Sequence, residues 1–205
     1  MEQAQSPFRT AQQKLDERDA KRRALLIAAA QMFNLRGFHA TSLDDVAASL
    51  GISKPTIYHY LGNKEQVLVE CLTIGLEQLF AAANEANREP GTGLERLRKF
   101  LCRNAEINMG VFGRCVILSG DENLSPEGAR KLRAMKRRVD DAMRALIVEG
   151  VKDGSIAPVD PKVAAFALAG AVNWSARWFR ADGALSAEEM ALQLVDFLTV
   201  GFAPR

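Results

Sequence analysis

The chain has 205 residues, of which 48% are hydrophobic and 25% charged, a composition that excludes disordered and collagen-like classes. Lys and Arg number 27 against 25 Asp and Glu, a net charge of +2, so the molecule as a whole is not a polybasic coat for nucleic acid. The charge is uneven: residues 1–64 carry 9 basic and 6 acidic residues, net +3, whereas residues 65–205 carry 18 and 19, net −1.

That asymmetry points to an anionic partner at the front of the chain. No run approaches the ~20 apolar residues a bilayer requires, and the first residues are polar with no apolar signal core. Three cysteines, Cys71, Cys102 and Cys115, are widely spaced and form no Cys-x-x-Cys, so neither a disulfide framework nor a zinc site is expected. These features read as a cytoplasmic protein with reduced thiols, no membrane partner and no cofactor. Neither Cys102 nor Cys115 has sequence support as a redox sensor.

Residues 1–18 are polar and read as a flexible arm. From about Asp19 a helical period takes over, with Leu26, Ala30 and Phe33 on one face, and Gly37 stops it. The run Thr41-Ser42-Leu43-Asp44-Asp45 offers a hydroxyl cap followed three residues later by a carboxylate, opening a short helix over about 43–50. Gly51 can take the positive φ of a sharp turn. Ser53 then caps a third helix over about 54–61, with Pro55 tolerated in its first turn. Gly62-Asn63 breaks it, and a long helix follows over about 64–87. Pro90-Gly91 marks the clearest loop. Further helices are expected at about 94–109, 127–152, 161–180 and 186–202. The stretch 110–124 is ambiguous; it has strand-like composition but no neighbour to pair with, so an irregular or short helical piece is expected. The fold class is all-α.

Two short helices around a glycine turn make a helix-turn-helix pattern. At about 100° per residue, with Ile57 facing the core, Leu61 stays within about 40° of it. Pro55, Thr56, Tyr58 and His59 all lie about 100° or more away. A hydroxyl, a tyrosine and a histidine on an outward face flanked by Lys54 and Lys64 suit a DNA groove bordered by phosphates. The plain alternative is a solvated polar face.

The stretches Arg36–Ala47, Gly51–Leu61 and Asn63-Lys64-Glu65 resemble the DNA-binding domain of the tetracycline-repressor (TetR) family of regulators, over about residues 20–66. The resemblance implies a helix-turn-helix domain over 19–66 and a ligand-binding and dimerisation domain over 67–205. It also implies DNA contacts: Thr41 and Ser42 to phosphate, Lys54, Pro55 and Thr56 toward base edges, Tyr58, His59 and Tyr60 to phosphate or bases, and Lys64 to the backbone. Gly62 and Tyr60 depart from residues common in the family. Arg9, Lys14, Arg18, Lys21, Arg22 and Arg23 could form a minor-groove or phosphate arm, or a solvated tail.

The resemblance further implies a homodimer on a palindromic operator, built from the last two long helices. Val163, Phe166, Ala167, Gly170, Ala171, Trp174 and Trp178 form an apolar stripe on one, and Met190, Leu194, Phe197, Leu198 and Val200 supply the other; the same residues could be monomer core. A small-molecule effector is implied too, with Phe112, Cys115, Asn173, Trp174, Arg177 and Trp178 as candidate ligand-binding residues. Asn173–Trp178 and Asp182–Glu189 resemble a branch that regulates lipid, steroid and acyl-CoA metabolism. The expected function is a ligand-responsive repressor released from its operator by an apolar or acyl-CoA-type effector. The competing classes are a helical dimeric scaffold that never touches DNA and an enzyme. The chain shows no Gly-rich phosphate loop, no Gly-x-Ser-x-Gly and no metal-spaced His/Glu cluster, which disfavours the enzyme.

Overall fold

The computed structural model describes residues 10–200. Within them the chain forms nine α-helices, one 3-10 turn at Asp121–Asn123 and no strand. The helices are α1 (Ala11–Arg36), α2 (Leu43–Ser49), α3 (Lys54–Leu61), α4 (Lys64–Arg88), α5 (Gly93–Met109), α6 (Val111–Leu118), α7 (Pro126–Lys152), α8 (Pro161–Trp178) and α9 (Ala187–Thr199).

Most helix starts are written locally. Reciprocal capping boxes open α1, α2, α4, α5 and α9, from Thr10/Gln13, Ser42/Asp45, Asn63/Gln66, Thr92/Glu95 and Ser186/Glu189. Each satisfies two backbone N–H groups that the helix cannot. Ser53 departs from expectation. It stands at the N-cap of α3 but makes no side-chain cap bond, because its hydroxyl lies 2.8 Å from that of Thr56. Two boundaries also differ from the sequence reading. The Thr10 box starts α1 at Ala11, so residues 11–18 are helical; residues 1–9, including Arg9, lie outside the described residues. The ambiguous stretch resolves into α6 and the 3-10 turn.

Helices α1, α2 and α3 pack together, and α4 joins them to the larger bundle of α5–α9. By length and composition α4 could cross a bilayer, contrary to the sequence reading that no run came near. Half of that stretch is buried inside the protein, where Leu68, Leu72 and Leu76 face α5, α6 and α7. Full burial of a leucine side chain is worth about 1.5–3 kcal/mol, and this helix supplies several.

The α4–α6 contact is close enough to exclude any side chain at one position. A Cβ on Gly75 would stand 2.7 Å from the Phe112 carbonyl oxygen and 2.8 Å from Val116 Cγ2. Alanine at a helical glycine gains about 1 kcal/mol in propensity, but overpacking against backbone costs about 1–3 kcal/mol. Gly75→Ala is therefore expected to lower the unfolding free energy by about 1 kcal/mol net, and the urea midpoint with it. A raised midpoint would show that α4 and α6 can separate freely.

Candidate functional site

The helix-turn-helix is a small, well-filled corner. Val46, Ala47, Leu43, Ile57 and Leu61 are buried, and Gly51 takes φ +64° at the turn. With Ile57 and Leu61 committed inward, α3 presents Pro55, Tyr58 and His59 to solvent, and Thr56 is half-buried at the edge. Tyr58 is 48% exposed, unusual for a large aromatic side chain. The outward face expected from helix angles is thus the observed one.

The flanking residues divide. Ser42 is exposed and holds the α2 cap with Asp45. That hydrogen bond keeps the Asp45 carboxyl below the usual carboxylate range. Lys54 is exposed and ion-paired to Asp44 at 2.6 Å. Tyr60 is half-buried against the core, and its ring meets His59 edge-on. Lys64 is half-buried: its ammonium lies 4.2 Å from the Phe38 ring centroid and donates to the His39 carbonyl at 3.4 Å. Thr41 is a correction. It is 1% exposed, and its hydroxyl donates to the Gly37 carbonyl oxygen at 2.9 Å. It anchors the α1–α2 turn from inside and has no surface to offer a phosphate.

Arg22 is the second correction. It does not belong to a basic arm. Its guanidinium grips both oxygens of Glu70 on α4, and its Nε donates to the Tyr60 carbonyl at 3.2 Å. One side chain on α1 therefore holds the last turn of α3 and the side of α4. Arg23 lies 6.0 Å from the Phe112 ring centroid, and Lys21 pairs with Glu17 on its own helix. Lys14 and Arg18 remain exposed on the first turns of α1.

A cavity of about 470 Å³ lies among α4, α5, α6, α7 and α8. This is within the usual ~300–1,000 Å³ of small-molecule sites. Leu76, Leu79, Val116, Val139 and Met143 line it with apolar surface, Asn104 and Asn173 add amides, and Lys136, Arg137 and Phe166 stand in its wall. Of the six residues expected at a ligand, only Asn173 is there. Phe112 and Cys115 are core, 6% and 0% exposed. Trp174 and Trp178 point to solvent, and Arg177 lies over the Trp174 ring. The helix period places a tryptophan on a face; it does not say whether that face looks into the bundle or away from it. The pair Arg103-Asn104 interrupts an otherwise apolar stretch of α5, a signal the sequence carries, whereas Lys136 and Arg137 sit in an ordinary charged run.

Burial pushes the Cys115 thiol up to about 11 and the Cys71 thiol higher still. Cys102 is half-buried and is raised for the same reason. All three stay protonated near neutrality, which argues against a peroxide-sensing thiolate.

Comparisons with known proteins converge on one group. The model described as "Bacterial regulatory proteins, tetR family" matches residues 25–71, and "Tetracyclin repressor-like, C-terminal domain" matches residues 90–202. The HTH-type transcriptional repressor KstR2 of Mycolicibacterium smegmatis is 30% identical over 190 residues, 89% of this chain and 90% of the relative. Among solved structures, the TetR family transcriptional regulator PfmR from Thermus thermophilus is 36% identical with a TM-score of 0.77, covering 85% of this chain and 96% of its own. AibR, solved in complex with isovaleryl coenzyme A and operator DNA, is 29% identical with a TM-score of 0.76, covering 90% of this chain and all of its own.

The Arg22–Glu70 contact gives a direct prediction. Arg22→Ala should cost about 1.5–3 kcal/mol of stability, the range for partly buried hydrogen bonds to charged groups. A double-mutant cycle with Glu70→Ala in urea unfolding should return positive coupling; additive effects would show that the pair holds nothing.

Proposed function

The chain belongs to the tetR family of bacterial regulatory proteins, and from that premise we propose that it is a homodimeric repressor acting in the cytoplasm. In this reading it leaves a palindromic operator when an apolar or acyl-CoA-type effector binds. The observation that carries the proposal is the face of α3, where Pro55, Tyr58 and His59 are exposed on a helix whose other side is locked by Ile57, Leu61 and the Arg22 contact. Base edges are read from α3, while Ser42 and the exposed N-terminal turns of α1 meet phosphate. Lys54 reaches the duplex by exchanging Asp44 for DNA. Lys64 holds the Phe38–His39 turn in place and adds positive charge beside the backbone.

A two-fold axis is needed to read a palindrome, with recognition helices about 34 Å apart. Support for the dimer comes from the outer face of α8 and α9. Val163, Phe166, Trp174 and Trp178 on α8, Phe197 on α9 and Val200 just after it are 42–81% exposed. A Cβ on Gly170, between them, would touch nothing. A monomer that leaves two tryptophans in water beside a small-residue gap has the composition of an interface core. Met190, Leu194 and Leu198 face the monomer's own core instead. The two stripes expected from sequence therefore divide between the monomer's core and an exposed face, which supports the dimer reading.

Release requires the effector to favour a conformer with a different spacing of the two α3 helices. Two elements join the cavity to the DNA face. Helix α4 starts beside α3 and lines the cavity with Leu76 and Leu79. Helix α6 lines it with Val116 and Ile117, while its Val111 carbonyl accepts from Asn34 of α1 and its Arg114 donates to the Ala176 and Phe179 carbonyls of α8. A shift of α6 under a ligand is carried to α1 by that asparagine. Coupling of this kind is typically ~1–3 kcal/mol. The similarity to AibR, which was captured with an acyl-CoA and operator DNA together, supports the effector class.

Two measurements test these readings. Genomic fragments selected by the purified protein should contain a palindrome, and Tyr58→Ala should weaken binding to it by about tenfold or more (~1–3 kcal/mol for a lost specific contact) without changing the melting temperature. Unchanged affinity would remove α3 from the DNA. Trp174→Glu should give a monomer in sedimentation at micromolar concentration and abolish operator binding; a stable dimer would place the interface elsewhere.

A further inference from the structure

The cavity is apolar in its middle, carries Lys136, Arg137 and Asp140 of α7 in its wall, the last ion-paired to Arg144, and has Asn104 and Asn173 in its lining with Asn108 joined to both. Asn108 is completely buried, and its Nδ2 donates to Asn104 Oδ1 at 2.7 Å and to Asn173 Oδ1 at 2.9 Å. Both N–H groups of Asn108 are thus used, and so is an oxygen of each neighbour. What remains is the Nδ2 of Asn104 and the Nδ2 of Asn173. Both residues line the cavity, and neither Nδ2 has a hydrogen-bond partner among the described residues. Asn104 is 3% exposed as a residue, yet its Nδ2 is not among the fully enclosed unpartnered atoms, so this donor keeps some accessible surface at the cavity it lines. Asn108 Oδ1 is also buried and unpartnered behind them.

A buried amide donor is costly unless an acceptor faces it. A pure hydrocarbon in this cavity would seal the two donors away and leave them unpaired. A ligand with an oxygen at that point would satisfy them. We propose that Asn104 and Asn173, held in place by Asn108, donate to the carbonyl oxygen of an acyl group lodged in the cavity and so select thioesters over ligands that lack it. Among the described residues no cationic side chain hydrogen-bonds to the trio, which favours a neutral carbonyl over a carboxylate. The positive charge stands elsewhere in the wall: Arg137 is exposed and Lys136 half-buried, a rim for an anionic group that stays near solvent. Lys136 is partly neutralised by Asp121 at 3.5 Å, leaving Arg137 as the freer cation. The arrangement orders the ligand: hydrocarbon among Leu76, Leu79, Val139 and Met143, carbonyl at the asparagines, anion at α7. This assignment rests on the acyl-CoA reading of the effector and extends it to a chemical group and the residues that recognise it.

Calorimetry on the full chain tests it with hexanoyl-, octanoyl- and decanoyl-coenzyme A, each beside its S-alkyl thioether, which lacks only the carbonyl oxygen. The thioester should bind about tenfold tighter than its thioether, the size of two modest hydrogen bonds. In Asn173→Ala, and in Asn104→Ser, that ratio should fall to about threefold or less; each substitution also takes an acceptor from the buried Asn108 and lowers the melting temperature, so the thioester-to-thioether ratio measured within one folded variant is the readout. Asn173→Asp, which turns a donor into an anion, should reverse the preference. Equal affinity for thioester and thioether in the wild-type protein, or a ratio that survives both substitutions, would overturn the assignment and leave the acyl-CoA reading standing. Free octanoate binding as tightly as octanoyl-coenzyme A would overturn the neutral-carbonyl assignment. Failure of every thioester and thioether to bind would overturn the assignment and the acyl-CoA reading together.

Discussion

The Arg22–Glu70 contact and the burial of α4 around it fix how the two halves of this chain face each other. Arg22 leaves α1, crosses to α4 and holds a carbonyl at the end of α3 on the way. One residue later on α4, Cys71 is buried with its sulfur 3.7 Å from the Leu26 carbonyl of α1. Four residues on, Gly75 admits the backbone of α6. Within about two turns, then, the same helix touches the DNA-facing unit and the element that walls the cavity. A helix is stiff over that distance, and close-packed interfaces have few intermediate arrangements. Movement at one end has to appear at the other, which is the mechanical requirement for a ligand to be felt at the DNA.

Two surfaces of the molecule run against ordinary burial. The face of α3 exposes a tyrosine, and the faces of α8 and α9 expose two tryptophans and two phenylalanines. The first is small, polar at its edges and flanked by cations; the second is broad, apolar and contains a glycine with open space in front of it. Their chemistry suits the different partners proposed for them: a hydrated, charged duplex for one, and an apolar copy of the same surface for the other. The buried asparagine trio is a third exception, on the inside. A core of leucine and valine would be more stable without it, and under the proposed assignment a ligand carbonyl takes up its free donors.

Much of the outward face of α3 was legible because every signal there is local. A cap, a glycine and the 100° step of a helix act over a few residues, so the outward set Pro55, Thr56, Tyr58 and His59 followed directly. Thr41 and Arg22 misled for a shared reason. A hydroxyl or a guanidinium carries the same sequence signature whether its partner is a phosphate or a carbonyl and a carboxylate brought close by the fold. Thr41 turned inward because the α1–α2 turn left the Gly37 carbonyl in reach. Arg22 did so because Glu70, 48 residues away, lies beside it.

The sequence by itself determined the all-helical class, the approximate bounds of every helix except the start of α1 and the whole of α6, and the direction of the α3 face, since caps, breakers and periodicity depend only on near neighbours. Tertiary structure alone decided which stripe of α8 is core and which is open, and it brought Asn104, Asn108 and Asn173 together from two helices. It also placed Lys136 and Arg137 at a cavity. The physical reason is range: hydrogen bonds along a helix reach four residues, whereas a cavity is the space left between helices whose mutual placement depends on the whole core at once.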